Sequence, residues 1–205
     1  MFGIVGYGGF IVSAILLNIT PGADTIYILS RAAVGGRKTG AVSAVGISTG
    51  ILVHIVLAAL GLSAILASSA AAFNIMKFAG AAYLALMGVR TLIKKQSFFD
   101  ENKAKEESLL KTYFQGVLTN ALNPKVALFF LALLPQFVTA ENPHGALPFL
   151  ILGLTFFCTS TVWCALVAFL SAFINPLLQK SEKVQKAACK ITGIIYILLG
   201  INVLR

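Results

Sequence analysis

The sequence is poor in charged residues, and acidic residues are the scarcest among them. Only 7 of the 205 residues are Asp or Glu and 16 are Lys or Arg, whereas 58% of the chain is hydrophobic. A soluble domain has no need for so much apolar surface, but a protein surrounded by lipid does. The composition therefore argues against a soluble protein and predicts an integral membrane protein.

Cysteine is also scarce, and common enzyme signatures are missing. The three cysteines, Cys158, Cys164 and Cys189, are odd in number and lack the spacing of a zinc site. The chain contains no His-Glu-x-x-His motif, no phosphate loop ending in Gly-Lys-Thr and no pair of carboxylates within an apolar stretch. We therefore expect no disulfide framework, no metal, no cofactor and no enzyme activity.

Apolar runs long enough to cross a bilayer occur six times along the chain. A helix needs about 20 residues to span the hydrocarbon core. Runs that approach or exceed this length cover residues 4–29, 40–66, 70–93, 112–138, 146–174 and 186–204. The first basic residue is Arg31, so the chain lacks the basic start of a cleaved signal peptide and we expect the first run to be retained. We therefore predict an all-α protein with six transmembrane helices in a single transmembrane domain, residues 1–205.

Basic residues are concentrated in three of the predicted loops. Thirteen lie around the first, third and fifth loops (residues 31–38, 90–111 and 180–190), whereas Lys77 and Arg205 fall on the other side. Basic residues in short loops stay in the cytoplasm, which places both termini outside. Topology and contact with anionic lipid headgroups account for this charge, so we expect no binding to nucleic acid.

A charged loop of residues 94–111 divides the six spans three and three. Because each half has an odd number of spans, residues 1–93 and residues 112–205 enter the membrane from opposite sides. An internal repeat would then be inverted. We therefore predict a 3+3 inverted repeat, with the charged loop in the cytoplasm.

The first apolar run of each half is interrupted by polar residues and a proline. One interruption covers residues 18–24 and contains Pro21, and the other covers residues 120–125 and contains Pro124. Proline lacks a backbone donor and clashes with the preceding turn, so neither run forms one regular helix. Irregular backbone within a membrane is tolerated where it is buried in protein or lines a cavity. Two such breaks predict a transport site at the meeting of the two halves.

Asp24 is the strongest candidate for a functional residue at the first break. A carboxylate within a membrane span costs about 2.5–3.5 kcal/mol on insertion scales and usually marks an ion or proton pathway. We expect Asp24 to bind a substrate amino group or a proton, with an acid that merely starts a helix as the alternative. Asn18 and Thr20, next to Pro21 and Gly22, offer polar groups to the ligand or to the broken backbone.

Lys125 is the complementary candidate at the second break, beside Asn120, Asn123 and Pro124. A lysine with apolar sequence on both sides must pair, extend to the interface or meet water. We expect Lys125 either to pair with Asp24 or to bind a substrate carboxylate. Together the two charges would suit a zwitterion.

Two features of the second span allow both a functional and a structural interpretation. His54 lies in an apolar stretch, where it either relays protons or is held by a neighbouring helix. Gly46 and Gly50 are four residues apart, a spacing that lets helix backbones approach closely. We favour packing within the chain for these glycines, with a homodimer as the alternative.

The residues of both breaks belong to a wider pattern. The first half contains Pro21-Gly22-x-Asp24, Gly36-Arg37-x-x-Gly40, Gly46 and Gly50. The second half contains Phe114-x-Gly116, Asn120, Asn123-Pro124-Lys125, Phe129-Phe130 and Pro135-Gln136-Phe137. This pattern resembles the LysE/RhtB family of amino-acid exporters, except at Ala23, where many relatives carry a second proline. The resemblance implies export of amino acids or close derivatives across the bacterial inner membrane, driven by the proton gradient.

Two other classes of function remain open at this point. An ion or metal transporter of the same superfamily would need further Asp, Glu or His residues on facing helices, and the apolar runs offer Asp24 and His54 alone. An intramembrane enzyme would need a nucleophile with a base, for which the sequence gives little support.

We predict that an impermeant thiol reagent added outside the cell labels a cysteine at position 143 and not one at position 103. The charge distribution places Pro143 outside and Lys103 in the cytoplasm. The measurement is maleimide labelling of Pro143→Cys and Lys103→Cys in intact cells, on a background without the three native cysteines. The reverse pattern would contradict both the topology and the inverted repeat.

Overall fold

The structure is a computed structural model that describes residues 2–69, 107–139 and 142–180, with individual helical positions between 71 and 93 and between 187 and 201. The continuous course of the predicted third and sixth spans lies outside the described residues, as do the loop of residues 94–106, Lys77, Cys189 and Arg205. The described residues form helices joined by short turns and contain no β-strand, apart from an isolated antiparallel bridge between Ile4 and Val138.

The described helices fall into two groups along the chain. The first group consists of α1 (Tyr7–Ile19), α2 (Ala23–Leu57), a π-helical turn (Ala58–Leu62) and α3 (Ser63–Ser68). The second consists of α4 (Leu109–Ala121), α5 (Pro124–Leu128), a π-helical turn (Phe129–Leu133), a 3-10 turn (Leu134–Phe137) and α6 (Leu147–Lys180).

Three of the described helical stretches are long and apolar enough to cross a membrane. They are Ala23–Ile65 with 43 residues, Leu109–Phe137 with 29 residues and Leu147–Asn175 with 29 residues. α1 is apolar as well but shorter. The described part of the chain is therefore all-helical and has the composition of a membrane protein.

The longest stretch reverses direction at Gly36. This residue has φ 71° and ψ −170°, a conformation that glycine adopts without the steric cost of a Cβ atom. The two arms of α2, residues 23–35 and residues 37–57, lie side by side next to the bend, where a Cβ on Gly40 would be 2.8 Å from the Ala32 Cβ. α2 is therefore a helical hairpin rather than one straight helix.

Aromatic side chains fill the main apolar core. The Phe129 ring packs on Phe10 of α1 and Phe156 of α6, with ring centroids 5.7 and 4.7 Å apart. All three side chains are almost fully buried. On the outer face of α6, by contrast, Val162 and Phe173 are each 71% exposed, as expected for side chains that contact lipid. The core therefore holds α1 and the segment after the second break against α6.

Small residues let the second arm of α2 pack closely against α4. A Cβ on Gly46 would lie 2.3 Å from the Tyr113 carbonyl oxygen, and one on Gly50 would lie 2.6 Å from the Val117 carbonyl oxygen. Gly116 is the matching small residue on α4. The two backbones are therefore in direct contact, and this face of α2 is occupied within the chain.

The run Gly46-Ile47-Ser48-Thr49-Gly50 also carries the letters of the hydrolase motif Gly-x-Ser-x-Gly. In hydrolases this motif forms a sharp turn between a strand and a helix. Here all five residues lie inside α2, and the Ser48 hydroxyl has no hydrogen-bond partner among the described residues. The match therefore lies inside a helix and lacks the strand-to-helix turn of the hydrolase motif.

We predict that Gly46→Ala lowers the melting temperature of the detergent-solubilised protein and that Gly61→Ala does not. The new methyl group at position 46 would meet a backbone carbonyl of α4, and overpacking of this kind costs about 1–3 kcal/mol. A Cβ on Gly61 meets no described atom within 4 Å. Thermal unfolding of both variants beside the wild type measures the difference, and equal melting temperatures would rule out a tight α2–α4 contact.

Candidate functional site

The first break lies between α1 and α2. Thr20, Pro21 and Gly22 separate the two helices, and Gly22 is the N-cap of α2 in an extended conformation. Proline has no backbone N–H to continue α1. The fully buried Thr20 hydroxyl instead donates to the Leu17 carbonyl oxygen. The carbonyls at the end of α1 therefore face a polar junction and not lipid.

The second break lies between Ala121, where α4 ends, and Pro124, where α5 begins. Proline at the first helical position is well tolerated because its missing N–H would be unpaired there anyway. Asn123 is the N-cap of α5, and its Oδ1 accepts a hydrogen bond of 3.0 Å from the Lys125 backbone N–H. The Asn123 backbone N–H donates to the Asn120 carbonyl oxygen at 2.8 Å. The junction between the two helices is therefore fixed by hydrogen bonds.

Lys125 joins the two breaks. Its ammonium group donates to the carbonyl oxygens of Leu17 at 3.1 Å and Thr20 at 2.9 Å. A positive charge at the C-terminal end of a helix is stabilised by the helix dipole. The lysine is buried, and a Cβ on Gly22 would lie 3.3 Å from its Nζ. Glycine at position 22 therefore leaves room for the ammonium group.

Asp24 lies in the first turn of α2 and is buried, at a helix end that favours a negative charge. Its Oδ2 accepts a hydrogen bond of 3.1 Å from the Asn120 Nδ2, and its Oδ1 has no partner among the described residues. Asp24 and Lys125 form no direct ion pair among the described contacts, although Lys125 is the main opposite charge acting on Asp24. Each charge is therefore bonded to neutral groups across the two breaks.

His54 lies beside the same junction. Its Nε2 is 2.9 Å from the Asn120 carbonyl oxygen, and its ring stacks on Phe130 with centroids 5.7 Å apart. Because a carbonyl oxygen only accepts, Nε2 carries the hydrogen in this contact. The ring also lines a cavity of about 140 Å³ near the two π-helical turns. His54 and Asp24 are thus both bonded to Asn120, one to its backbone and one to its side chain.

Asn18 contacts a different element. Its Nδ2 donates to the Thr159 Oγ1 of α6 at 3.3 Å. The side chain also lines a groove of about 350 Å³ between α1 and α6, with Trp163 on its other wall. The described contacts of Asn18 therefore tie α1 to α6 and do not include Asp24 or Lys125.

A polar cluster that sequence reasoning missed joins α2 to α4. The Arg31 Nη2 is 3.0 Å from the Glu107 Oε2 and 2.6 Å from the Gln115 Oε1. A hydrogen bond from Lys111 is the main cause that holds the pKa of Glu107 below its ordinary value. The sequence signal for this cluster is a pair of opposite charges, Arg31 and Glu107, at the ends of two apolar runs. The distribution of loop charges explains Arg31 by topology and gives it no partner.

Thiols and metal-binding side chains are sparse among the described residues. Cys158 and Cys164 are both free, the first exposed and the second buried. No three His, Cys, Asp or Glu side chains in the described ranges lie close enough together to hold a metal ion. In that part of the chain, Asp24 and its amide neighbours form a buried polar centre.

Comparisons with known proteins agree with a membrane transport protein. A family model described as LysE type translocator matches residues 15–205. No solved structure gives a significant match to the chain.

Three similar proteins are each 31% identical to this chain. The uncharacterized membrane protein YrhP of Bacillus subtilis (strain 168) aligns over 202 residues, 94% of this chain and 95% of its own length. A homoserine/homoserine lactone efflux protein of Salmonella typhi aligns over 191 residues, 93% of this chain and 92% of its own length. The protein of the same name from Salmonella typhimurium (strain LT2) has the same coverage.

We predict that Lys125→Met lowers the melting temperature of the purified protein and that Lys111→Met has little effect. Methionine keeps the apolar stem but removes the donor to Leu17 and Thr20 and the charge that opposes Asp24. Removing one member of a buried charge arrangement costs about 3–5 kcal/mol. Lys111 is 60% exposed and its surface ion pair contributes little. Equal shifts for the two variants would contradict a structural role for Lys125.

Proposed function

The chain belongs to the LysE type translocator family, and on that premise we propose that it exports amino acids or close derivatives across the bacterial inner membrane in exchange for protons. The observation that carries the proposal is the buried polar layer that joins the two breaks. Asp24 of the first break accepts from Asn120 of the second, and Lys125 of the second donates to backbone carbonyls of the first. Ionisable groups within membrane spans usually belong to substrate or proton pathways. Membership in a translocator family also indicates a transporter rather than an enzyme.

The proposed architecture has six transmembrane helices in two inverted halves, residues 1–93 and 112–205. Both termini lie outside, and the loop of residues 94–111 lies in the cytoplasm. The proposal is supported by the corresponding positions of the two breaks, each of which is followed by the start of a new helix. In inverted-repeat transporters, the ends of such half-helices meet at the substrate site near the midplane.

An ammonium group is the part of the substrate that Asp24 is proposed to bind. The Asp24 Oδ1 is buried and lacks a partner among the described residues, so it is suited to accept a hydrogen bond from a cation. The two Salmonella relatives are named for efflux of homoserine and homoserine lactone. On that likeness, the proposed substrate is a small molecule with an amino group.

Proton coupling is proposed to arise from competition for the Asp24 carboxylate. A protonated carboxyl group has no charge with which to hold an ammonium group, and a bound ammonium group disfavours protonation. If Asp24 binds substrate on one side of the membrane and a proton on the other, the protein therefore exchanges substrate for protons. His54 is hydrogen-bonded to the backbone carbonyl of Asn120, and the Asn120 side chain donates to Asp24. The proposed role of His54 is therefore to position Asn120 and not to relay the proton.

The cluster of Arg31, Glu107 and Gln115 is proposed to close the cytoplasmic side of the site. Arg31 lies seven residues, about two helical turns, beyond Asp24 and joins α2 to α4. A path to the cytoplasm between these helices would require the cluster to separate. The same contacts therefore alternate between formed and broken during transport.

A growth-resistance screen identifies the substrate. Cells that express the protein are challenged with high concentrations of individual amino acids, homoserine lactone and amino-acid analogues. A compound that expressing cells tolerate better than control cells is then tested as a labelled substrate in efflux. Resistance to none of these compounds would contradict the proposed function.

We predict that Asp24→Asn abolishes efflux driven by a pH gradient while the protein still inserts and remains folded. Asparagine keeps the shape and an oxygen for Asn120 but carries neither the charge nor the proton. Asp24→Glu should retain part of the activity. The measurement is labelled efflux from proteoliposomes with equal amounts of each variant, and full gradient-dependent transport by Asp24→Asn would reduce Asp24 to a helix-capping residue.

A further inference from the structure

Three buried side-chain atoms at the two breaks make no hydrogen bond with any described residue. They are the Asp24 Oδ1, the Asn120 Oδ1 and the Asn123 Nδ2. Their residues are 8%, 0% and 3% exposed. A buried polar atom without a partner costs about 1–3 kcal/mol, so three of them at one junction require a specific explanation.

The hydrogen bonds of the two amides determine which of their atoms remains free. Asn120 donates to a carboxylate, which only accepts, so its nitrogen faces Asp24 and its oxygen is the free acceptor. Asn123 accepts from the backbone N–H of Lys125, so its oxygen is occupied and its nitrogen is the free donor. The junction therefore offers two acceptors, one of them charged, and one neutral donor.

One hydrogen bond links the side chains that carry the two free oxygens. The free oxygens of Asp24 and Asn120 are each attached to the same carbon as an atom of the 3.1 Å hydrogen bond between the two side chains. The Asn123 amide, whose nitrogen is its only donor, also faces the Asp24 carboxylate but makes no hydrogen bond of regular geometry with it. The three free atoms therefore belong to side chains that meet at one junction.

Lys125 has little to offer a substrate carboxylate in this arrangement. Two of the three N–H bonds of its ammonium group point to the Leu17 and Thr20 carbonyl oxygens. A carboxylate held by Lys125 would have to displace these bonds and loosen the end of α1. A carbonyl oxygen needs only a neutral donor, which Asn123 supplies.

We propose that Asp24, Asn120 and Asn123 recognise the α-amino carbonyl unit of the substrate. The two acceptors bind its ammonium group, and the Asn123 Nδ2 donates to its carbonyl oxygen. This unit is shared by free amino acids and by their esters, amides and lactones, so the site does not require a carboxylate. The inference rests on the proposed export function and adds the chemical group that the site recognises, with Lys125 as a positioning residue.

The test is a binding measurement on purified wild-type protein with four matched small molecules. L-homoserine and L-homoserine lactone carry the amino group, and γ-hydroxybutyrate and γ-butyrolactone are their counterparts without it. Titration calorimetry at a series of pH values, from mildly acidic to neutral, covers both the charged form of the two amino groups and the carboxylate form of Asp24. We expect the Kd values of the two amino compounds to agree within about tenfold, and the other two to bind at least about a hundredfold more weakly.

Each other pattern of binding has a distinct meaning. Binding of homoserine and γ-hydroxybutyrate without the lactones would show that a cation recognises the carboxylate, which would overturn this inference and leave amino-acid export in place. Binding that does not depend on the amino group would overturn it as well. Binding of none of the four compounds would contradict the proposed function together with the inference.

Asn123→Ser tests the donor directly. Serine keeps an oxygen that can cap α5 but is too short to place a donor where the asparagine nitrogen lies. The matched control is Asn175→Ser, because Asn175 is also buried and bonds the Leu29 carbonyl oxygen at 3.1 Å, away from the breaks. Both variants are compared with the wild type once their melting temperatures are found to be near its value. We expect Asn123→Ser to bind homoserine and its lactone about tenfold more weakly, and Asn175→Ser to bind them as the wild type does. Unchanged binding by Asn123→Ser would overturn the inference.

Discussion

Two hydrogen bonds from the Lys125 ammonium group to the Leu17 and Thr20 carbonyl oxygens hold the end of α1 against the start of α5. The first of these bonds joins residues 108 positions apart in the chain. Because these bonds hold the two breaks together, the Asn120 amide can donate to the Asp24 carboxylate. A buried carboxylate without an opposite charge nearby is strongly unfavourable. The polar layer therefore depends on Lys125 even though no direct ion pair is formed with Asp24 among the described residues.

Helix packing and the polar layer are parts of one arrangement. A Cβ on Gly50 would lie 2.7 Å from the Asn120 Cβ, so the glycine leaves the space in which the Asn120 side chain turns toward Asp24. A larger residue at position 50 would displace α4 and with it the amide. The small residues that let α2 and α4 approach therefore also set the geometry of the proposed site.

The family could be predicted from the motifs at the two breaks, and the match of residues 15–205 to the LysE type translocator model confirms it. Membrane character followed from composition. The hydrogen bonds of Lys125 could not be predicted. The charge pattern favours Asp24 or a substrate carboxylate as its partner, whereas its described partners are backbone carbonyls. Backbone acceptors carry no sequence signature, and the same holds for the carbonyl that His54 bonds. The six-helix inverted repeat stays a prediction, since much of two spans lies outside the described residues.

Proton release on substrate binding tests most directly whether Asp24 is the group shared by substrate and proton. When L-homoserine is added to purified wild-type protein in weakly buffered solution, at a pH where Asp24 is partly protonated, we expect a net release of protons, because the ammonium group binds the carboxylate form of Asp24. Asp24→Asn should release none, since its side chain has no proton to give up. Equal release by the wild type and by Asp24→Asn would contradict the central role of this carboxylate.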